Sequence, residues 1–197
     1  YINRFMNKFD FALILTCTIN PVNIPNLVRN DPNMRLEDYK KSFNFWTNHP
    51  RVNKIIFIEN SNFDIDYFKN FAKNKNKQIE FFSNDLNNSF NKNLGKGFGQ
   101  YLCFKEIFEK SSLVKETDYF FNVTGRHIIT NFDEIYNDMI SKKNDIYINL
   151  SDNLKFCNTT SFGASKKFIT DYLNGKKLDY KKIHDKDYSL FKIQTNF

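Results

Sequence analysis

Short continuous apolar runs alternate along this chain with stretches whose apolar residues recur every three or four positions, which predicts β-strands joined by amphipathic helices. Residues 11–18 (FALILTCT) are the first run. An unbroken apolar stretch predicts a strand covered on both faces, ending near Thr18, where Asn20, Pro21 and Asn23 open a loop. Leu36, Tyr39, Phe43 and Trp46 fall at i, i+3, i+7 and i+10, one face of a helix that starts after Asp31-Pro32 and stops before Pro50. Residues 54–59 (KIIFIE) form the second strand, Asp64 caps a short helix carrying Phe68, Phe71 and Ala72, and residues 78–82 form the third strand.

Beyond an Asn-rich loop, residues 95–100 (GKGFGQ) lead into a helix whose Tyr101, Phe104, Ile107 and Phe108 share a face. Residues 118–123 (DYFFNV) are the next strand, and Thr124-Gly125-Arg126 leaves it ahead of a helix burying Phe132, Ile135, Met139 and Ile140. Asn131 with Glu134 three residues on predicts a variant capping box there. Residues 146–150 and 159–162 are later strands, and Ser165 opens a helix that ends at Gly175. The order of elements predicts one α/β domain over residues 1–197, Rossmann-like, with a mostly parallel sheet flanked by helices. From about residue 176 the chain becomes a Lys-rich tail with no predicted element.

Composition adds that the core is rich in Phe: 41% of residues are hydrophobic, with 23 Phe and 10 Tyr, which excludes global disorder. Lys plus Arg number 29 against 22 Asp plus Glu, a net charge of +7. The excess is mostly Lys scattered among Asn, without an arginine-rich stripe or a zinc-finger or RNA-recognition motif, so nucleic acid is not the expected partner. A basic nucleic-acid-binding module is kept as a rival class. Cys17, Cys103 and Cys157 lie far apart and are odd in number, which fits a reduced, cytoplasmic setting. No run approaches the roughly 18 to 20 apolar residues that span a bilayer.

In an open α/β sheet, ligands bind beyond the carboxyl ends of the strands, where loops and helix N-termini converge. That selects residues 16–20, 59–62, 93–100 and 124–127. GKGFGQ places Lys96 between two glycines before a helix, so backbone at Gly97 can approach an anion while Lys96 supplies charge. Its spacing is neither a phosphate-loop nor a dinucleotide-binding motif. Arg126 follows a strand with an apolar interior, which puts its phosphate-matching fork at the ligand edge, with His127 beside it. Glu59-Asn60-Ser61 offers a carboxylate and an amide to a ribose or base edge. Asp64-Ile65-Asp66 spells DxD, but a helix start favours acids there for capping. His49, His127 and His184 have no zinc spacing, and hydrolase motifs are absent.

Residues 15–21 (LTCTINP), 58–61 (IENS), 95–100 (GKGFGQ) and 118–127 (DYFFNVTGRH), in that order and spacing, resemble the bacterial glycosyltransferases of GT-A-like fold that build capsule and lipooligosaccharide. The resemblance implies a nucleotide-sugar donor at the carboxyl edge of the first strands and a glycan or lipid-linked acceptor held by later segments. It assigns the donor to Thr16, Cys17, Thr18, Glu59, Asn60, Lys96, Gly97, Thr124 and Gly125, and the chemistry to Arg126 and His127. Asp185 is the base drawn from the several C-terminal aspartates. The strand ending near Val123 delivers Thr124-Gly125-Arg126 where most GT-A enzymes have DxD, so transfer without a bound metal is expected, with manganese or magnesium left open. The Lys-rich tail suits peripheral contact with the cytoplasmic face of the inner membrane. A sugar nucleotidyltransferase, which shares a similar frame, is the alternative enzyme.

Overall fold

Strand β1 (Ala12–Cys17) is the spine of the sheet, bonded in parallel to β2 (Lys54–Glu59) on one side and β4 (Tyr119–Thr124) on the other. The computed structural model describes residues 9–22, 27–150, 157–175, 188–190 and 195–196, except the side chains of residues 96, 149–150, 157–159, 188–190 and 195–196. Strand β3 (Gln78–Ser83) extends the parallel set beyond β2. On the other flank lie β7 (Cys157–Ser165), β6 (Ile146–Leu150) and β8 (Tyr188–Leu190), giving the order β3-β2-β1-β4-β7-β6-β8. β7 runs against both its neighbours, while β6 and β8 are parallel to each other. A two-residue strand β5 (Ile128–Ile129) pairs antiparallel with β9 (Thr195–Asn196). The expected α/β architecture with a mostly parallel sheet is present, and β7 is its one reversed element among the described strands of the seven-stranded sheet.

Side chains alternate across the sheet, so each apolar strand feeds two cores. Leu13, Leu15, Phe57, Phe121 and Val123 face α1 (Pro32–Asn48), α2 (Asp66–Ala72) and α5 (Phe132–Lys142). Ala12, Ile14, Ile56, Ile58 and Phe120 face α3 (Lys96–Lys110), α4 (Ser112–Lys115) and α6 (Lys166–Leu173). Rings interlock in the first core: Phe43 meets Phe57 and Phe68 edge-on at 5.3 Å each, and Trp46 meets Phe132 at 5.1 Å. Each such pair adds about 0.5–1.5 kcal/mol beyond area burial.

Helix starts follow local chemistry. Asp31 accepts from Asn33 N (2.7 Å) and Met34 N (3.1 Å) with Pro32 next in the chain, and Ser165 accepts from Phe168 N at 3.1 Å. At α2 the expected Asp64 cap is displaced: the N-cap is Ile65, which has no side-chain cap bond, and Asp64 one residue earlier accepts from Asp66 N at 2.8 Å in the approach turn. The capping box expected at Asn131 does not form: Asn131 is the N-cap, but its φ of −100° and ψ of 30° lie outside the extended region from which a cap side chain reaches back. Among the described residues no helix is long and apolar enough to cross a membrane.

Phe43 is 1% exposed at the centre of the first core. Phe43→Ala is expected to cost about 3–5 kcal/mol, read as a lower urea midpoint at unchanged slope.

Candidate active site at the sheet edge

The chain leaves β1 toward β2 on one side, and after β3 returns to the other side of β1 to form β4. The crevice between the carboxyl ends of β1 and β4 is therefore the switch point at which open α/β sheets hold ligands. Thr16 and Thr124, both half-buried, pair across it.

The turn from Thr124 to His127 is tied on every side. Gly125 N donates to Thr16 O (2.8 Å), His127 N to Thr124 O (2.9 Å), and His127 O accepts from Ser42 Oγ (2.8 Å) and Trp46 Nε1 (3.1 Å) of α1. Gly125 is required by packing: a Cβ there would lie 2.5 Å from Cys17 Sγ and 3.1 Å from Thr16 O. A carbonyl on one side and a thiol on the other leave room for hydrogen only.

Arg126 projects from this turn half-buried, with no hydrogen bond or salt bridge to any described residue. Burial holds its pKa below the ordinary arginine value, the nearby Arg35 and Arg29 add to that, and the dipoles and charges of Tyr39 and Asp38 oppose it. Arg35, on α1, is only 5% exposed. It donates to Thr18 O (2.6 Å), Arg29 O (3.0 Å) and the Tyr39 hydroxyl (3.0 Å), all neutral acceptors. Arg29 differs, since Asp38 takes both its Nε and, at 2.7 Å, its Nη2. Tyr39, whose pKa burial pushes up to about 12, stays a neutral phenol that also accepts from Thr18 N at 3.0 Å.

Glu59 is fully buried and turned to its own loops instead of the crevice. Its oxygens accept from Ile19 N (3.1 Å), Ser61 N (3.0 Å), Phe63 N (2.8 Å) and the Ser61 hydroxyl, so it clamps the exit of β1 to the exit of β2. Asn60 is similarly occupied, accepting from Thr18 Oγ1 (2.7 Å) and donating to Cys103 Sγ (3.3 Å). Burial raises the Cys17 thiol well above its ordinary value and Cys103 to about 12, which keeps both protonated. The expected donor residues of β1 and β2 thus reach the edge mainly as its framework.

Helix α3 follows the carboxyl end of β3 but covers the face of the sheet opposite α1, so the helix that Lys96 opens and the turn that carries Arg126 lie on different faces. The Lys96 side chain lies outside the described set. Gly95 adopts a φ of +81°, and at Gly97, exposed at the first turn, nothing lies within 4 Å of where a Cβ would sit. In the preceding loop Lys92 Nζ sits 4.3 Å from the Phe90 ring with no hydrogen-bond partner. Sequence reasoning missed Arg35 and Lys92. Arg35 carried a signal, because it precedes Tyr39 and Phe43 by four and eight positions on the buried stripe of α1.

His127 is 5% exposed, and burial, followed by the charge of Arg126, pushes its pKa down to about 4. It is neutral at neutral pH. Asp66 pairs with Lys69 at 3.1 Å, and among the described residues no three His, Cys, Asp or Glu side chains are grouped to hold a metal. Asp185 and the Lys-rich tail around it lie outside the described residues.

No family model matches the chain, and no curated protein matches it in sequence. Solved structures do. The 4-diphosphocytidyl-2C-methyl-D-erythritol synthase of Anaerococcus prevotii superposes with a TM-score of 0.52 at 11% identity, covering 95% of this chain and 88% of that one. A CMP:2-keto-3-deoxy-manno-octonic acid synthetase complexed with CTP gives 0.49 at 6% identity over 86% and 80%. The glycosyltransferase GlyE of Streptococcus pneumoniae gives 0.49 at 9% identity, covering 92% of this chain and 45% of its own. The first of these likenesses bears out the fold, an α/β domain with a mostly parallel sheet flanked by helices.

Gly125→Ala is expected to destabilise by about 1–3 kcal/mol through overpacking. In a thermal-melt double-mutant cycle Cys17→Ala should recover part of that loss. For His127, a folded pKa of about 4 lies below the unfolded 6.5, so only the unfolded chain takes up the proton between them. Stability therefore falls as pH drops from about 6.5 toward 4, and His49, also lowered by burial, adds the same sign. His127→Gln should flatten the pH dependence of urea stability by up to about 1.4 kcal/mol per pH unit in that window.

Proposed function

We propose that the protein is a nucleotide-dependent transferase of activated sugars, with the nucleotide's phosphates received at Arg126 in the β1–β4 crevice. One observation carries the reading: a half-buried guanidinium with no hydrogen-bond or ion-pair partner among the described residues stands beside the buried Arg35, whose three acceptors are all neutral, at the switch point of the sheet. Guanidinium forks match phosphate oxygens two at a time and are favoured wherever such groups are recognised.

Two reactions fit such a site. In sugar nucleotidyl transfer an oxygen of a sugar phosphate attacks the α-phosphorus of a nucleoside triphosphate, and the bond to the β-phosphate breaks to release pyrophosphate. In glycosyl transfer an acceptor hydroxyl attacks the anomeric carbon, and the carbon–oxygen bond to a nucleoside diphosphate breaks. Nucleotidyl transfer is the first reading, supported by the likeness to the diphosphocytidyl-methylerythritol synthase over nearly the whole of both chains. Glycosyl transfer to a bacterial surface glycan or its lipid-linked precursor, at the cytoplasmic face of the inner membrane, is supported by the ordered motifs ending in TGRH. Under either reading Arg126 offsets charge on the leaving group. Lys96 and the open backbone at Gly97 are proposed to contact the phosphates from the other face, and in glycosyl transfer Asp185 is the proposed base that takes the proton of the acceptor hydroxyl.

A thermal-shift panel of nucleoside mono-, di- and triphosphates and nucleotide sugars should show a raised Tm with at least one. The product then separates the reactions, pyrophosphate marking nucleotidyl transfer and a nucleoside diphosphate marking glycosyl transfer. Arg126→Ala should lower turnover on the order of a hundredfold or more. Wild-type turnover in folded Arg126→Ala, or a panel without any shift, would remove the reading.

A further inference from the structure

The charges at the crevice sum unevenly. Arg29 is neutralised by a two-point bridge to Asp38, while neither Arg35 nor Arg126 makes an ion pair with a carboxylate among the described residues, Asp38 reaching Arg126 only through its longer-range charge. Two like charges, one buried and one half-buried, repel each other and have lost part of their hydration. Proteins hold such charges where an anion completes the arrangement.

The two side chains also reach the same place. Arg35 grips Thr18 O just beyond β1, Arg126 leaves β4, and the two strands are hydrogen-bonded neighbours about 4.8 Å apart. Both lie on the α1 side of the sheet, with Tyr39 between them in electrostatic contact with each.

The GT-A resemblance implies a divalent metal held by paired carboxylates at the end of β4. Among the described residues, those at that position do not fit one. Thr124, Gly125 and a cation occupy that position, Asp38 is engaged by Arg29, and Glu59 is buried with its oxygens turned to Ile19, Ser61 and Phe63. A hard cation at a nucleotide site is held by at least one or two carboxylates together with waters and phosphate oxygens, and would meet fixed positive charge here.

Resting on the proposed function above, we infer that Arg35 and Arg126 form a fixed guanidinium pair that binds the diphosphate group of the nucleotide in place of a divalent metal. Arg35 is the member the motifs did not reveal. Its three neutral hydrogen bonds hold the fork in place before ligand arrives, and Arg126 supplies donors that no acceptor among the described residues takes. In either reaction the departing group is a diphosphate, so both schemes use the pair alike.

The test is binding, apart from turnover. The full chain is titrated with CDP, UDP and inorganic pyrophosphate, in EDTA and in manganese or magnesium, with Tm and calorimetric Kd recorded. Equal affinity in EDTA and in metal is expected. Arg126→Gln should weaken it about tenfold to a hundredfold, as loss of charge-assisted bonds does. Without ligand, Arg126→Gln should melt at or above the wild-type temperature, because an uncompensated charge has been removed. Arg35→Lys, which keeps the charge and loses the fork, should weaken binding in the same direction. If that variant does not fold, Arg126→Gln decides alone. Binding that requires metal overturns the pair while leaving the transferase reading intact, whereas unchanged affinity in Arg126→Gln overturns the pair together with the placement of the phosphates at Arg126. Failure of all three ligands in every buffer removes both.

Discussion

A guanidinium taken out of water keeps its charge, and the edge of this sheet is organised around that constraint. Arg35 is accommodated by oriented oxygens from Thr18, Arg29 and Tyr39. Among the described residues Arg126 has no such oxygens, yet the turn that carries it is fixed to β1 through Gly125 and to α1 through the carbonyl of His127. Both ends of the turn hold its backbone beside Arg35 and Tyr39. The electrostatic tension is therefore a property of the backbone arrangement, and local rigidity in the surroundings is what sustains it.

Rigidity at the edge comes from groups first read as ligand-binding. Glu59 accepts from backbone amides of two loops, and Asn60 links β1 to α3 through Thr18 and Cys103. The spacing IENS showed that polar side chains end β2 but not which way they turn. A carboxylate at a strand end can serve a ribose or a neighbouring amide equally well by sequence. In this fold the exits of β1 and β2 lie side by side, and the nearest donors are Ile19, Ser61 and Phe63.

The fold itself was largely legible, because buried parallel strands and helical stripes leave different periods in the sequence. The apolar run at 54–59 matches β2 residue for residue, and the stripe from Leu36 to Trp46 lies on α1. The reversal of β7 was legible in principle: residues 151–156 are too few for a parallel crossover, which needs a dozen or more. Arg126 was found because position after a strand predicts exposure at the edge. Arg35 was missed because an arginine on an apolar stripe reads as a solvated interruption until the neighbouring strand ends are placed. Asn131 misled because cap chemistry depends on dihedral angles that composition does not encode.

The small ladder of β5 with β9 joins Ile128 and Ile129, directly after His127, to Thr195 and Asn196. Segments so distant along the chain meet late in folding, since closing a long loop must precede the contacts that reward it. During synthesis the turn bearing Arg126 thus gains this last backbone support only after the residues around 195 have cleared the ribosome. The nascent domain can assemble its central strands well before its most highly charged corner is locked.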